Sequence, residues 1–131
     1  MATTFYVAFD KPVPPYGTRG GECPALAAEH AALDRLANAH GLPTLDRFVG
    51  MAPAAPATAT GEYPADRGRP LPRWYDPAAG RTAVQALAQF LRDNPAAISR
   101  SAAMLAELEQ VERELAAAEQ CQAKFHVRLL D

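Results

Sequence analysis

Two short stretches near the ends of the chain alternate in hydrophobicity with a period of two, and this pair constrains the fold more than anything between them. Phe5, Val7 and Phe9 alternate with Tyr6 and Ala8, while Phe125, Val127 and Leu129 alternate with His126, Arg128 and Leu130. Aromatic and β-branched residues at this spacing predict half-buried strands. Two isolated strands are marginal in water unless they pair and something covers one face. The expected fold is therefore α+β, with the N- and C-terminal strands paired in a small sheet covered by about three main helices. Parallel and antiparallel pairing both satisfy the pattern, because no tight hairpin turn links the two segments.

Between the strands the sequence is helical in period. The first strand is expected to stop at Asp10-Lys11-Pro12, since proline cannot donate to a ladder. An irregular connection then follows through Pro14, Pro15, Gly17, Gly20 and Gly21. Pro24 suits the first position of a helix, and Leu26, His30, Leu33, Ala37 and His40 continue it at three- and four-residue steps until Gly41 and Pro43 end it. A short turn of helix is expected over 44–49. Asp76-Pro77 predicts an N-cap and first turn for a helix burying Val84, Leu87, Ala88 and Leu91 and closing at Asn94-Pro95. Ser99 or Ser101 opens the last helix, with Leu105, Leu108, Val111, Leu115 and Ala118 as its apolar stripe. Residues 51–72, rich in Ala, Pro, Thr and Gly, show no period and read as a flexible loop within one domain spanning 1–131.

Charge and cysteine content narrow the function classes. The formal net charge is -2 and the pI about 5.9, so a general attraction to nucleic acid or an anionic membrane is not expected. No run approaches the roughly 20 apolar residues of a membrane span. The opening residues also lack the basic and apolar regions of a secretory signal, so the expected location is cytoplasmic. Cys23 and Cys121 belong to no CxxC pair and are expected to stay reduced, although a disulfide between them is compatible with the sequence.

The segments FYVAFD (5–10), WYDP (74–77) and KFHVRLLD (124–131) resemble a pattern seen in small bacterial proteins of uncharacterised function. There an N-terminal strand, an aromatic-Asp-Pro helix start and a C-terminal strand containing His recur in this order. By type the chain also resembles bacterial immunity proteins, which bind and neutralise a toxin. The resemblance transfers neither an active site nor an agreed activity.

The residues themselves offer a few candidate sites. The loop YGTRGGE (16–22) lies between a predicted strand and helix, where phosphate cradles occur. It has neither GxGxxG spacing nor a Gly-Lys-Ser/Thr ending, so its glycines read as turn residues, with Arg19 able to hold an anion. His30 and His40 stand ten residues apart, too far to share a metal as an i, i+4 pair would. No metal site and no cofactor is expected. Tyr6 and His126, with Asp10 and Arg128, would meet on the outer faces of the paired strands and form either an acid–base site or a polar contact surface. Trp74 and Tyr75, with Arg69 and Arg73 upstream, form an aromatic cluster of hot-spot composition. Glu107, Glu109 and Glu112 make the last helix acidic, which suits encounter with a basic partner. The leading expectation is a non-enzymatic protein-binding domain, an immunity or antitoxin-like factor using the Trp74 region or the acidic helix. The alternative is a small-molecule-binding or enzymatic domain around Tyr6 and His126. A homodimer through a free sheet edge fits either.

Overall fold

The computed structural model describes residues 4–50 and 73–130. The segment 51–72 expected to be flexible, and Arg69 within it, lie outside the described residues. Elements follow in the order β1 (Thr4–Val13), β2 (Gly17–Arg19), α1 (Pro24–Ala39), a 3-10 turn (Asp46–Phe48), α2 (Pro77–Asp93), α3 (Ser101–Gln120) and β3 (Phe125–Leu130). The terminal strands pair, and they pair antiparallel, in a sheet of order β2-β1-β3. The fold is α+β.

The register explains itself from the sequence. Phe5 faces Leu129, Val7 faces Val127 and Phe9 faces Phe125, so the two apolar sets share the inner face. Tyr6 opposite Arg128 and Ala8 opposite His126 share the outer one. A slip of β3 by one residue would turn Phe125, Val127 and Leu129 outward. Asp10 locks the far end of the pairing: its backbone N–H donates to the Lys124 carbonyl at 3.1 Å and its Oδ1 accepts the Lys124 N–H at 2.8 Å.

Two features depart from the expected strand layout. β1 does not stop at Asp10-Lys11-Pro12 but runs to Val13, because β1–β3 pairing has already ended at Phe9–Phe125 and the β2 ladder is irregular between Ala8 and Val13. Pro12 therefore breaks no bond by lacking an N–H. The stretch expected to be an irregular connection contains a third strand, β2. Tyr16 N–H closes the turn onto Val13 O at 2.6 Å, and Gly17 enters β2 at φ 75°, a conformation that suits glycine.

The helices cover the inner face. α2 and α3 form an antiparallel hairpin, with Arg81 meeting Glu119, Gln85 meeting Glu112 and Arg92 meeting Glu109 in succession. Asp76 caps α2 as expected, its Oδ1 accepting the Ala78 N–H at 3.0 Å. The core comprises Phe5, Val7 and Phe9 with Leu26, Leu33, Val84, Leu87, Leu91, Met104, Leu108, Leu115, Phe125 and Val127, all buried. Met104 takes the buried position at the start of the α3 stripe, and Leu105 is half-buried. Ser101 is the first residue of α3 but caps nothing; its hydroxyl donates to Pro95 O at 2.5 Å.

The outer edge of β3 is bridged at Phe125 and Val127. Tyr75 N–H donates to Phe125 O at 2.7 Å, Phe125 N–H donates to Tyr75 O at 3.0 Å, and Gly50 N–H donates to Val127 O at 3.2 Å. β2 forms the other edge of the sheet, and its three residues are all exposed.

Candidate outer-face binding site

Alternation along a strand sends neighbouring side chains to opposite faces, and this divides the WYDP segment. Tyr75 turns inward and packs edge-on against Phe48 at 5.5 Å. Trp74 turns outward and lies stacked on the His126 ring, centroids 4.2 Å apart and planes 22° from parallel. Trp74 is the one large hydrophobic side chain exposed among the described residues, at 37%. It borders a shallow groove of about 360 Å³ that Tyr6, Thr18, Arg19, His126 and Arg128 also line. Trp74 and the Tyr6–His126–Arg128 set are thus one surface, whereas Tyr75, expected beside Trp74 at the contact, packs against the core.

Two stacks stiffen that surface. The Arg19 guanidinium lies 3.8 Å above the Tyr6 ring centre, an attraction between cation and aromatic face. His126, only 3% exposed, has Nδ1 3.0 Å from the Arg73 carbonyl. A carbonyl can only accept, so Nδ1 carries the proton. Burial holds the His126 pKa below its ordinary 6.5, with the Arg128 charge adding to the effect against the Arg73 bond. The ring is therefore neutral at pH 7, and it serves as the bed for Trp74.

Gly50 closes this arrangement from beneath. A Cβ on Gly50 would fall 2.1 Å from His126 Cγ, and its backbone is pinned by Val127 and Arg73. Substituting Gly50→Ala must displace the imidazole and with it Trp74. We expect a loss of about 1–3 kcal/mol, the usual range for overpacking. We also expect a changed fluorescence emission from the chain's one tryptophan. An unaltered emission and denaturation midpoint would mean that the contact does not constrain the site.

The remaining candidates lie elsewhere. Asp10, bonded to Lys124, is not among the groove residues. Arg73 contributes its backbone, bonding Gly50 O as well as His126. Glu107 does not face solvent as a partner strip would: its two oxygens accept the Ala25 and Leu26 N–H groups at 3.0 and 2.8 Å. It caps α1, whose own N-cap residue Cys23 makes no side-chain cap bond. Glu109 pairs with Arg92, and Glu112 accepts from Gln85. Glu114 is buried beside the β2–α1 connection, its Oε2 accepting the Gly21 N–H at 2.9 Å. A signal for this was present, because Glu107, Val111, Glu114 and Ala118 fall at the same three- and four-residue steps as the apolar stripe.

His30 is half-buried on α1, and His40 packs on Phe90 at 4.7 Å. Cys23 and Cys121 are free thiols. Burial, reinforced by Glu107 and Glu114, pushes the Cys23 pKa up to about 12, so it stays protonated and unreactive. Among the described residues no three His, Cys, Asp or Glu side chains converge as metal ligands would, and no helix is long and apolar enough to cross a membrane. A larger concavity of about 680 Å³ lies away from the groove, lined by Pro43, Arg47, Phe48, Tyr75 and Thr82.

By architecture the chain is a small α+β fold with a basic, aromatic outer sheet face. Compared with family models, with curated proteins and with solved structures, it matches none.

Proposed function

We propose that this chain is a non-enzymatic binding domain that covers a partner protein with the outer face of its sheet, in the manner of an immunity or antitoxin-like factor. The observation that carries the reading is Trp74, exposed yet held flat on a buried imidazole. A large aromatic anchor fixed in advance loses little freedom on binding, and Trp, Tyr and Arg are the residues that dominate binding hot spots. Tyr6, Arg19 and Arg128 stand beside it.

The same groove is what an enzymatic reading around Tyr6 and His126 would use, and its chemistry favours binding. The proton on His126 Nδ1 is held by Arg73. The carboxylate of Asp10 is engaged by Lys124. A catalytic site needs converging polar groups in a concave pocket, and this groove is shallow.

The test compares the full chain, N-terminally tagged, with a Trp74→Ala/Arg19→Glu variant as baits in lysate of the source cells. The reading expects one protein recovered in near-equal amount with the parent chain. Recovery with the variant should fall at least about 30-fold, as loss of a 2 kcal/mol hot spot implies, while the variant's thermal unfolding stays close to the parent's. Equal recovery with both baits would remove this face from the interface.

A further inference from the structure

Resting on that reading, we infer that the partner meets this face with a carboxylate-rich segment, not with the basic surface that an acidic protein would be expected to seek. The chain is acidic overall, at -2, yet no residue lining the groove is acidic and two, Arg19 and Arg128, are cationic. The carboxylates of α3 that suggested a basic partner lie in the helical layer and have partners of their own there: Glu107 on α1, Glu109 on Arg92 and Glu112 on Gln85. What remains for a partner at Trp74 is positive.

The geometry of Arg19 sharpens the ligand class. Arg19 is exposed, its guanidinium lying 3.8 Å over the Tyr6 ring centre, and a guanidinium carries N–H donors along its edges. Those edges form the fork that matches a carboxylate bidentately. Phosphodiester would offer a similar anion, but nucleic-acid binding needs a basic stripe on a basic domain. Here the cations form a small island on an acidic chain. A second copy of this chain would bring the same arginines against one another, a repulsive arrangement.

The experiment pans short random peptides lacking tryptophan against the full chain. Clones that also bind the Trp74→Ala chain are discarded, and the rest are titrated while following Trp74 emission. The inference expects the retained peptides to be enriched in Asp and Glu. Their affinity should fall about tenfold or more in an Arg19→Glu chain and in an Arg128→Glu chain, and should weaken as salt is raised. Retained peptides that are neutral or basic would overturn the inference and leave the Trp74 face intact as an interface. An oligo-dT that shifts Trp74 emission at lower concentration than any retained peptide would overturn it in favour of nucleic acid. Finding no Trp74-dependent peptide would also overturn it, and the paired-bait capture decides the binding reading independently.

Discussion

Replacing Phe125 with alanine is expected to cost about 3–5 kcal/mol, the range for emptying a buried phenylalanine site. Phe125 is 2% exposed and stands where sheet, helix and connecting segment meet. It faces Phe9 across the ladder, packs on Phe48 at 5.4 Å, and exchanges two backbone hydrogen bonds with Tyr75. Its ring also rests on Gly80 of α2, where an added Cβ would lie 2.4 Å from Cζ. Gly80 is therefore the contact that lets α2 approach the sheet. Gly80→Ala alone should cost about 1–3 kcal/mol by overpacking. Combined with Phe125→Ala, its methyl group enters the vacated space, so the double variant should be less destabilised than the sum of the two. Urea denaturation of the three variants gives the coupling, and strict additivity would separate the two positions. Because Phe125 precedes His126, its loss should also loosen the bed of Trp74 and weaken partner capture.

Replacing Glu114 with glutamine is expected to stabilise the protein at neutral and alkaline pH by about 1–2 kcal/mol, because the amide keeps an acceptor for Gly21 and Gln110 and removes a buried charge, which costs more to bury than a neutral polar group. Glu114 is 1% exposed. Its Oε2 accepts from Gly21 and from Gln110 at 3.1 Å, while Oε1 is buried without a partner among the described residues. Burial raises its pKa above the ordinary 4.5, against the lowering effect of those two bonds and of Arg113. A carboxyl that holds its proton more tightly when folded favours the folded state most below the ordinary carboxylate pKa. That contribution is lost as pH rises through the raised value. Asp34, bonded to the Leu45 N–H at 3.0 Å, is shifted in the same direction by burial. His126 acts oppositely: its contribution is complete above 6.5 and is lost as pH falls through its lowered pKa. Denaturant midpoints for parent and Glu114→Gln should therefore converge near about pH 4 and diverge as pH rises above it, Asp34 contributing a slope of the same sign to both. A variant less stable than its parent at high pH would mean that the bonds to Gly21 and Gln110 outweigh the cost of burial.

These two positions bear on the binding face through the backbone. Glu114 holds Gly20 and Gly21 against α3, directly after Arg19, whereas Phe125 fixes the start of β3 directly before His126. The groove's cationic wall and its aromatic wall are thus each anchored in the core by one residue on the opposite face of the sheet.

Much of the molecule was legible in the sequence because it depends on neighbours within a few residues. The period-two runs marked β1 and β3 and assigned each side chain to its face. Pro24, Pro77 and the Asp76 cap placed the helix starts, and Gly41 with Pro43 placed an end, since each acts through its own backbone angle or a hydrogen bond within one turn. Tyr6, His126 and Arg128 could be placed together on the outer face by alternation alone.

What only the tertiary structure decided involves partners far apart in the chain. β2 is three residues long and carries no hydrophobic alternation; it is a strand because β1 lies beside it. Glu107 reads as one of several helix glutamates, and becomes a cap by reaching N–H groups 81 and 82 residues away. Glu114 likewise owes its burial to Gly21, 93 residues distant. Trp74 and His126 were separate candidates until the Tyr75–Phe125 bridge set one ring on the other. Periodicity and cap chemistry are local, so they specify faces and boundaries. Which faces meet, and which charges are left for a partner, follows from long-range packing that no local pattern encodes.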